Sequence, residues 1–252
     1  MGDDLTTKLD PYCGPAPIPE NVIWAWNGDV VLMAMIASGV GLLYVAQSPR
    51  QPGHIVLLSA VLIVAFISPL CALSTALFSA RSVHHILVGT AAAPLIALML
   101  PQLAKKASAV PPELVFLLHT AVYWAWHLPP GYSFALAGTP QYWLMQSAFT
   151  ASSVWLWAIL LSTNATVFTS MGLAVGTMVQ MGFLGAILTF APSPLFEAHF
   201  FTTQAFGMTP LFDQQLAGIL MWTLGLLPFL AAALWSIHTH LSPSTRYQDN
   251  RR

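Results

Sequence analysis

SARSVHHILVGTAAAP, Ser79 to Pro94, leads an arginine and two adjacent histidines straight into an otherwise apolar helix. Arg81 and His85 are four residues apart and share a helix face, while His84 points about 100° away. Ionisable groups at the edge of hydrocarbon are costly, so this cluster points to function. The plain alternative is headgroup contact and one satisfied hydrogen bond between helices.

Composition places that stretch in a bilayer. Of 252 residues, 56% are hydrophobic and only 7% charged, with a mean hydropathy of +0.69, whereas soluble domains carry about 25% charged residues. An all-α integral membrane protein is expected. A net charge of -1 and scattered Lys and Arg residues give no nucleic-acid binding stripe. The acidic start, Met1 to Asp10, lacks the basic region and apolar core of a cleavable signal peptide, so insertion is expected to rest on internal helices. Two cysteines, Cys13 and Cys71, make neither a disulfide framework nor a CxxC pair. Both are expected on the outer side, where disulfides persist. A bond between them requires Cα atoms within about 7 Å, which sequence does not fix.

Three regions follow from the distribution of apolar runs: an extracytoplasmic tail over 1–27, a transmembrane domain over 28–240 and a cytoplasmic tail over 241–252. The tail is Pro-rich and ends in Trp24 and Trp26, residues suited to a membrane interface. Seven spans of about 20 residues each are predicted, the number a bilayer crossing needs. They run from Asp29 to Ala46, Ile55 to Phe78 with Pro69 inside, Ser82 to Leu100, Pro112 to Pro129, Tyr142 to Leu161, Met171 to Phe190 and Gln214 to Ile237. The sixth is rich in glycine (Gly172, Gly176, Gly182, Gly185), which lets helices approach closely. With the N-terminus outside, the inner loops collect Arg50, Lys105, Lys106, Arg246, Arg251 and Arg252, leaving Lys8 and Arg81 outside. That asymmetry predicts N-out, C-in. The NAT triplet starting at Asn164 matches a glycosylation acceptor but falls on the inner side, so it is discounted.

This topology gathers polar residues on the outer face. Arg81, His84 and His85 enter there, Trp126 and His127 leave, Tyr142 and Gln146 re-enter, and the last outer loop carries Glu197 and His199 and leads to Asp213. On the fourth span His119, Tyr123 and His127 recur every four residues and form one stripe. A lone buried histidine is more often bonded to a neighbouring carbonyl than to a metal; two on one stripe favour a site.

Three chemistries fit such a cluster. Imidazoles with nearby thioethers, Met145 and Met208, suit copper, since thioether selects Cu(I), although methionines in membrane helices commonly fill gaps. Haem is the second, with axial histidines and Arg81 forking onto a propionate. Ion or proton translocation is the third, but acidic residues stand only at helix starts, Asp29 and Asp213, where an aspartate caps the helix. No catalytic triad, paired carboxylates or phosphate loop is present, so no enzymatic activity is expected. His85, His127 and His119 are the first candidate ligands, with His84, His199, Met145 and Met208 as further ones and Arg81 and Asp213 as a charged rim.

DQQLAGILMW (Asp213 to Trp222), MGFLGAILTFAPSPLF (Met181 to Phe196), LHTAVYWAWHLPPGY (Leu118 to Tyr132), and YCGPAP followed by WNGD resemble the CtaG-type cytochrome c oxidase assembly family. Trp126, Gln214, Gln215 and Trp222 are the motif positions. The resemblance extends over nearly the whole chain. It implies a seven-helix protein of the bacterial inner membrane that acts as a chaperone in assembly of a haem-copper oxidase of the respiratory chain, at the copper-insertion step, with oxidase subunits as partners. The alternatives are a permanent accessory subunit of a respiratory oxidase and a membrane haem-binding protein. His85, His119 and His127 match family histidines. Where the family shows HxxxH, this chain has Arg81 and His85 on the third span and Tyr142 and Gln146 on the fifth. A guanidinium at 81 repels a metal cation unless a carboxylate such as Asp213 neutralises it.

Overall fold

Prolines decide where the apolar runs break into helices. In the computed structural model, which describes residues 10–46, 51–100, 109–162 and 165–241 with positions 102 and 106, every regular element among the described residues is helical. Lys8, Arg50, Lys105, Arg246, Arg251 and Arg252, which carry most of the charge asymmetry, lie outside the described residues, as does Asn164 of the NAT triplet. So does most of the 241–252 tail.

The helices are α1 (Val30–Ala46), α2 (Pro52–Ile67), α3 (Pro69–Ala76), α4 (Phe78–Met99), α5 (Pro112–His127), α6 (Pro129–Ala135), α7 (Thr139–Leu160), α8 (Val167–Phe190), α9 (Pro210–Thr223) and α10 (Leu227–Leu241). Three stretches are long and apolar enough to cross a membrane: Phe78–Met99, Val167–Phe190 and Pro210–Thr239. Pro52–Ile67 and Pro69–Ala76 make a fourth if that pair, bent by 43°, is one span. Helix α1 is apolar but has only 17 residues. Helix α5 has only 16 residues, and on α7, of 22 residues, polar side chains such as Tyr142 and Gln146 dilute the hydropathy.

Two expected boundaries change. Pro69 is not carried inside one helix. Ser68 turns extended, with its hydroxyl accepting from the Leu70 N–H, and Pro69 starts α3. The third span starts at Phe78, not Ser82, because Asp213 supplies a cap there, so Arg81 lies inside the first turn rather than before it. Both α2 and α4 contain a five-residue π-turn, Ile63–Ile67 and Val88–Ala92.

Helix α4 packs most closely on α9, α3 and α7, while α5 packs on α7 and α8. The third and fourth spans meet through side chains, His85 against His127. At Gly89 a Cβ would meet the Phe149 ring at 2.9 Å, and Trp157 donates to the Gly89 carbonyl at 2.8 Å, so α4 and α7 nearly touch there. A Cβ on Gly218 would meet the Gly185 carbonyl at 2.6 Å, which brings α8 and α9 backbone to backbone. Gly131 is just as constrained, because a Cβ there would lie 1.9 Å from the Ala125 carbonyl where WHLPPGY folds back over α5. Phe168, Phe190 and Trp235 on the helix flanks are exposed, as lipid-facing side chains would be.

The N-terminal tail is pinned to the bundle. The Tyr12 hydroxyl donates to the Asp29 carboxylate at 2.5 Å and its ring stacks on Tyr142. That bond and the N–H groups of Leu32 and Val31 hold the Asp29 carboxyl below the ordinary carboxylate range. Asn27 donates to the Phe66 carbonyl through its amide and to the Ile67 carbonyl through its backbone. Cys13 and Cys71 form a disulfide, with Cα atoms 5.4 Å apart.

Two outcomes are expected. Non-reducing peptide mapping should return Cys13 and Cys71 in one cross-linked species, whereas two free thiols would refute the bond. It closes a separation of 58 residues, so its reduction should lower stability by up to about 4 kcal/mol on chain-entropy grounds. Gly218→Ala should push α8 and α9 apart at a cost of about 1 to 3 kcal/mol, read as a lower melting temperature in detergent. An unchanged melt would mean the backbones are not in contact.

Candidate functional site

The site is assembled by one carboxylate from a distant part of the chain. Asp213, on the first turn of α9, is fully buried and accepts hydrogen bonds from the Phe78 N–H at 2.6 Å, the Ser79 N–H at 3.2 Å and the Ser79 hydroxyl. It therefore caps α4, where free N–H groups and the helix dipole favour negative charge. Its own helix is capped by Thr209 instead. The charged rim expected from the sequence is not found. Asp213 and Arg81 are 0% and 2% exposed, and the carboxylate oxygens are engaged by α4. None of the three Arg81 nitrogens makes a hydrogen bond of full geometry to a described residue, although the Tyr132 and Tyr142 hydroxyls stand close by; the guanidinium lies 5.6 Å from the Tyr142 ring centroid, within cation–π range.

One turn further along α4, His85 meets His127 at the end of α5, Nδ1 to Nε2 at 3.2 Å. The other nitrogen of His127, Nδ1, donates to the Tyr123 carbonyl at 2.7 Å. That bond fixes the tautomer and directs the Nε2 lone pair at His85. His85 Nε2 has no partner among the described residues. His119, two turns deeper, pairs through Nδ1 with the Ser152 hydroxyl at 3.2 Å.

All three histidines line one cavity of about 20 Å³, room for one water or one ion. Met181 of α8 and Met221 of α9 share its wall with Tyr123 and Phe149. These thioethers were missed in the sequence although each lies within a quoted motif, because methionine in an apolar run carries no local signal of its facing. Met145 and Met208, chosen for proximity in sequence, do not line the cavity. Met145 is core, and Met208 packs beside Ala76, Leu77 and Ala80. No group of three or more His, Cys, Asp or Glu side chains among the described residues is placed to hold a metal ion.

The other two histidines go elsewhere. His84 is fully buried, edge-on to Phe66, and neither ring nitrogen has a partner among the described residues. His199 is bonded at both nitrogens, to the Tyr132 hydroxyl at 2.6 Å and the Ala76 carbonyl at 3.1 Å, so it offers no lone pair to a metal.

The DQQLAGILMW motif now has a physical account. Asp213 holds α4. Gln214 accepts from the Leu195 N–H at 2.7 Å and donates to the Leu188 carbonyl at 3.2 Å. Gly218 admits α8, Met221 reaches the cavity, and Trp222 lies against Gly182 and Gly185. Gln215 is half-buried and takes no part in these bonds. In the WHLP stretch, Trp126 stacks on Phe134 and His127 enters the site.

A helical membrane protein with a buried imidazole pair beside thioethers is the class these features define. The family described as cytochrome c oxidase caa3 assembly factor (Caa3_CtaG) matches residues 56–241, well over half of the chain, and the protein belongs to that family. No curated protein and no solved structure matches the chain.

His199, between α8 and α9, sets a pH dependence. Burial, with the Arg81 charge adding to it, pushes His199 down to about 4 against the opposing bond to Ala76. In the unfolded chain the same imidazole takes a proton below about 6.5. The unfolded state therefore binds more protons below that pH, and stability should fall as pH drops from about 6.5 towards 4. Melting temperatures across pH 7.5 to 5 should show this slope, and His199→Gln should reduce it by the share of one imidazole. An unchanged slope in that variant would place the titration elsewhere.

Proposed function

We propose that the protein is a non-catalytic assembly factor for a haem-copper cytochrome c oxidase, holding Cu(I) as cargo between His85 and His127 on its way to the oxidase's copper-bearing subunits. The observation that carries this reading is the contact of His85 Nδ1 with His127 Nε2 at 3.2 Å, on the wall of a cavity that Met181 and Met221 also line. Two imidazoles and two thioethers are a soft, neutral donor set of the kind Cu(I) prefers. The Tyr123 carbonyl orients one imidazole in the way protein-held metals commonly require. His119 stands deeper, on Ser152, as a positioning group or relay. A cavity of about 20 Å³ favours an ion over a porphyrin.

We further infer seven spans in the bacterial inner membrane, with the N-terminus outside. The long helices and the bent pair are joined in this reading by α1, α5 and α7, of 17, 16 and 22 residues, about 24 to 33 Å long at 1.5 Å per residue. The positive-inside asymmetry supports the orientation, and the exposed Trp24 and Trp26 in the tail suit an interface.

Deleting the gene should reduce assembled oxidase, while a deletion strain with normal oxidase content would sink the reading. His85→Ala or His127→Ala should weaken Cu(I) binding by at least about tenfold, measured by competition with a chromophoric chelator. Met181→Leu with Met221→Leu should weaken it without changing the fold. If neither pair of substitutions alters Cu(I) affinity, the histidines are structural. A stoichiometric copurification with mature oxidase would instead favour an accessory subunit.

A further inference from the structure

Arg81 is the largest of the fully buried side chains. A guanidinium carries its charge at every accessible pH and offers five N–H donors. None of its nitrogens makes a hydrogen bond of full geometry among the described residues, although the Tyr132 and Tyr142 hydroxyls stand close to the guanidinium, and the carboxylate of Asp213 is bonded to the first turn of α4 rather than to Arg81. A buried charge without a counter-charge is strongly destabilising.

The unmet donors are not confined to Arg81. His84, three residues on along α4, is 0% exposed with both ring nitrogens unpartnered among the described residues. Gln146 on α7 is 2% exposed, and neither amide atom makes a hydrogen bond of full geometry among the described residues, although the Tyr142 hydroxyl stands close by. Gln146 stands one helical turn from Tyr142, the residue whose ring underlies the guanidinium. Helices α4 and α7 therefore direct three kinds of N–H donor into one buried zone that contains no free carboxylate among the described residues. Gln146 also lines a cavity of about 410 Å³ formed with Phe66, Trp143 and residues of α1 and α2.

We propose that Arg81, His84 and Gln146 form a binding site for one small monovalent anion of the halide class. One fixed positive charge is balanced by one negative charge. The two neutral side chains supply further N–H donors, and the Tyr142 ring closes one side. Arg81 does not line the histidine cavity, so the anion site is distinct from any metal site there.

The test uses the purified full-length protein in detergent, free of copper, melted in sodium chloride, bromide or gluconate at fixed ionic strength. Chloride and bromide should raise the melting temperature saturably, by about 3 °C for a chain of this size, and gluconate should not. Arg81→Gln should abolish the dependence, and Gln146→Leu should shift its midpoint to higher anion concentration. Should Arg81→Gln fail to fold, bromide anomalous scattering from wild-type crystals decides, with a peak expected within hydrogen-bonding distance of the guanidinium. Identical melts in all three salts, an unaltered response in Arg81→Gln, or ordered water alone beside Arg81 would overturn the proposal.

Discussion

The capping of α4 by Asp213 is the constraint on which the rest of the site depends. Two backbone N–H groups and a hydroxyl converge on one carboxylate across a separation of 134 to 135 residues. Charge-assisted bonds of this kind are about twice as strong as neutral ones. They fix where α4 starts, and therefore the rotation at which Arg81, His84 and His85 leave it. The next residue, Gln214, ties the same turn to the end of α8 and the loop beyond it, and one turn on Gly218 seats α9 against α8. A short motif thus locks three elements into one joint. Met221 at its far end is delivered to the histidine cavity by the same rigid turn.

Much of this was legible in the sequence, though for uneven reasons. The four-residue recurrence of His119, Tyr123 and His127 gives a stripe from helical geometry alone, and depth along the spans brings His85 level with His127, the pair that meets at 3.2 Å. The role of Asp213 was not legible. An aspartate at a helix start reads as a cap for that helix, and nothing local announces that it serves another. For the same reason Arg81 and Asp213 looked like an exposed pair. In the fold each is buried, and the helix that Asp213 caps is the one that carries Arg81 inward.

The tail shows what a weak motif can conceal. YCGPAP and WNGD are short stretches with little signal apart. Together they make one structure, in which Tyr12 bonds Asp29, Asn27 bonds the end of α2, and Cys13 is linked to Cys71 on α3. Sequence could place both cysteines on one face but not within reach, because a bond depends on how the tail folds back. The tail lies over Tyr142, with Tyr12 stacked on its ring. The motif therefore roofs the α4 and α7 interface, although it lies outside the residues matched by the family.

Charge links the two ends of α4. A Cu(I) ion held by imidazole and thioether meets only neutral ligands, so its charge is not offset by the donors that bind it. Arg81 is one helical turn from His85, about 6 Å along the axis, and a like charge at that range in a poorly polarisable interior opposes the cation far more than it would in water. Asp213 offsets part of this from a distance, but its oxygens are bonded to the N-terminus of α4 and not to the guanidinium. An anion on the guanidinium converts the repulsive neighbour into a neutral pair, and the cation's field then acts on a dipole rather than a charge. Anion and cation would favour each other's binding, and by linkage each must do so to the same degree. An arginine in the HxxxH register would then act as a control on the histidine site, its effect set by whether the guanidinium is paired.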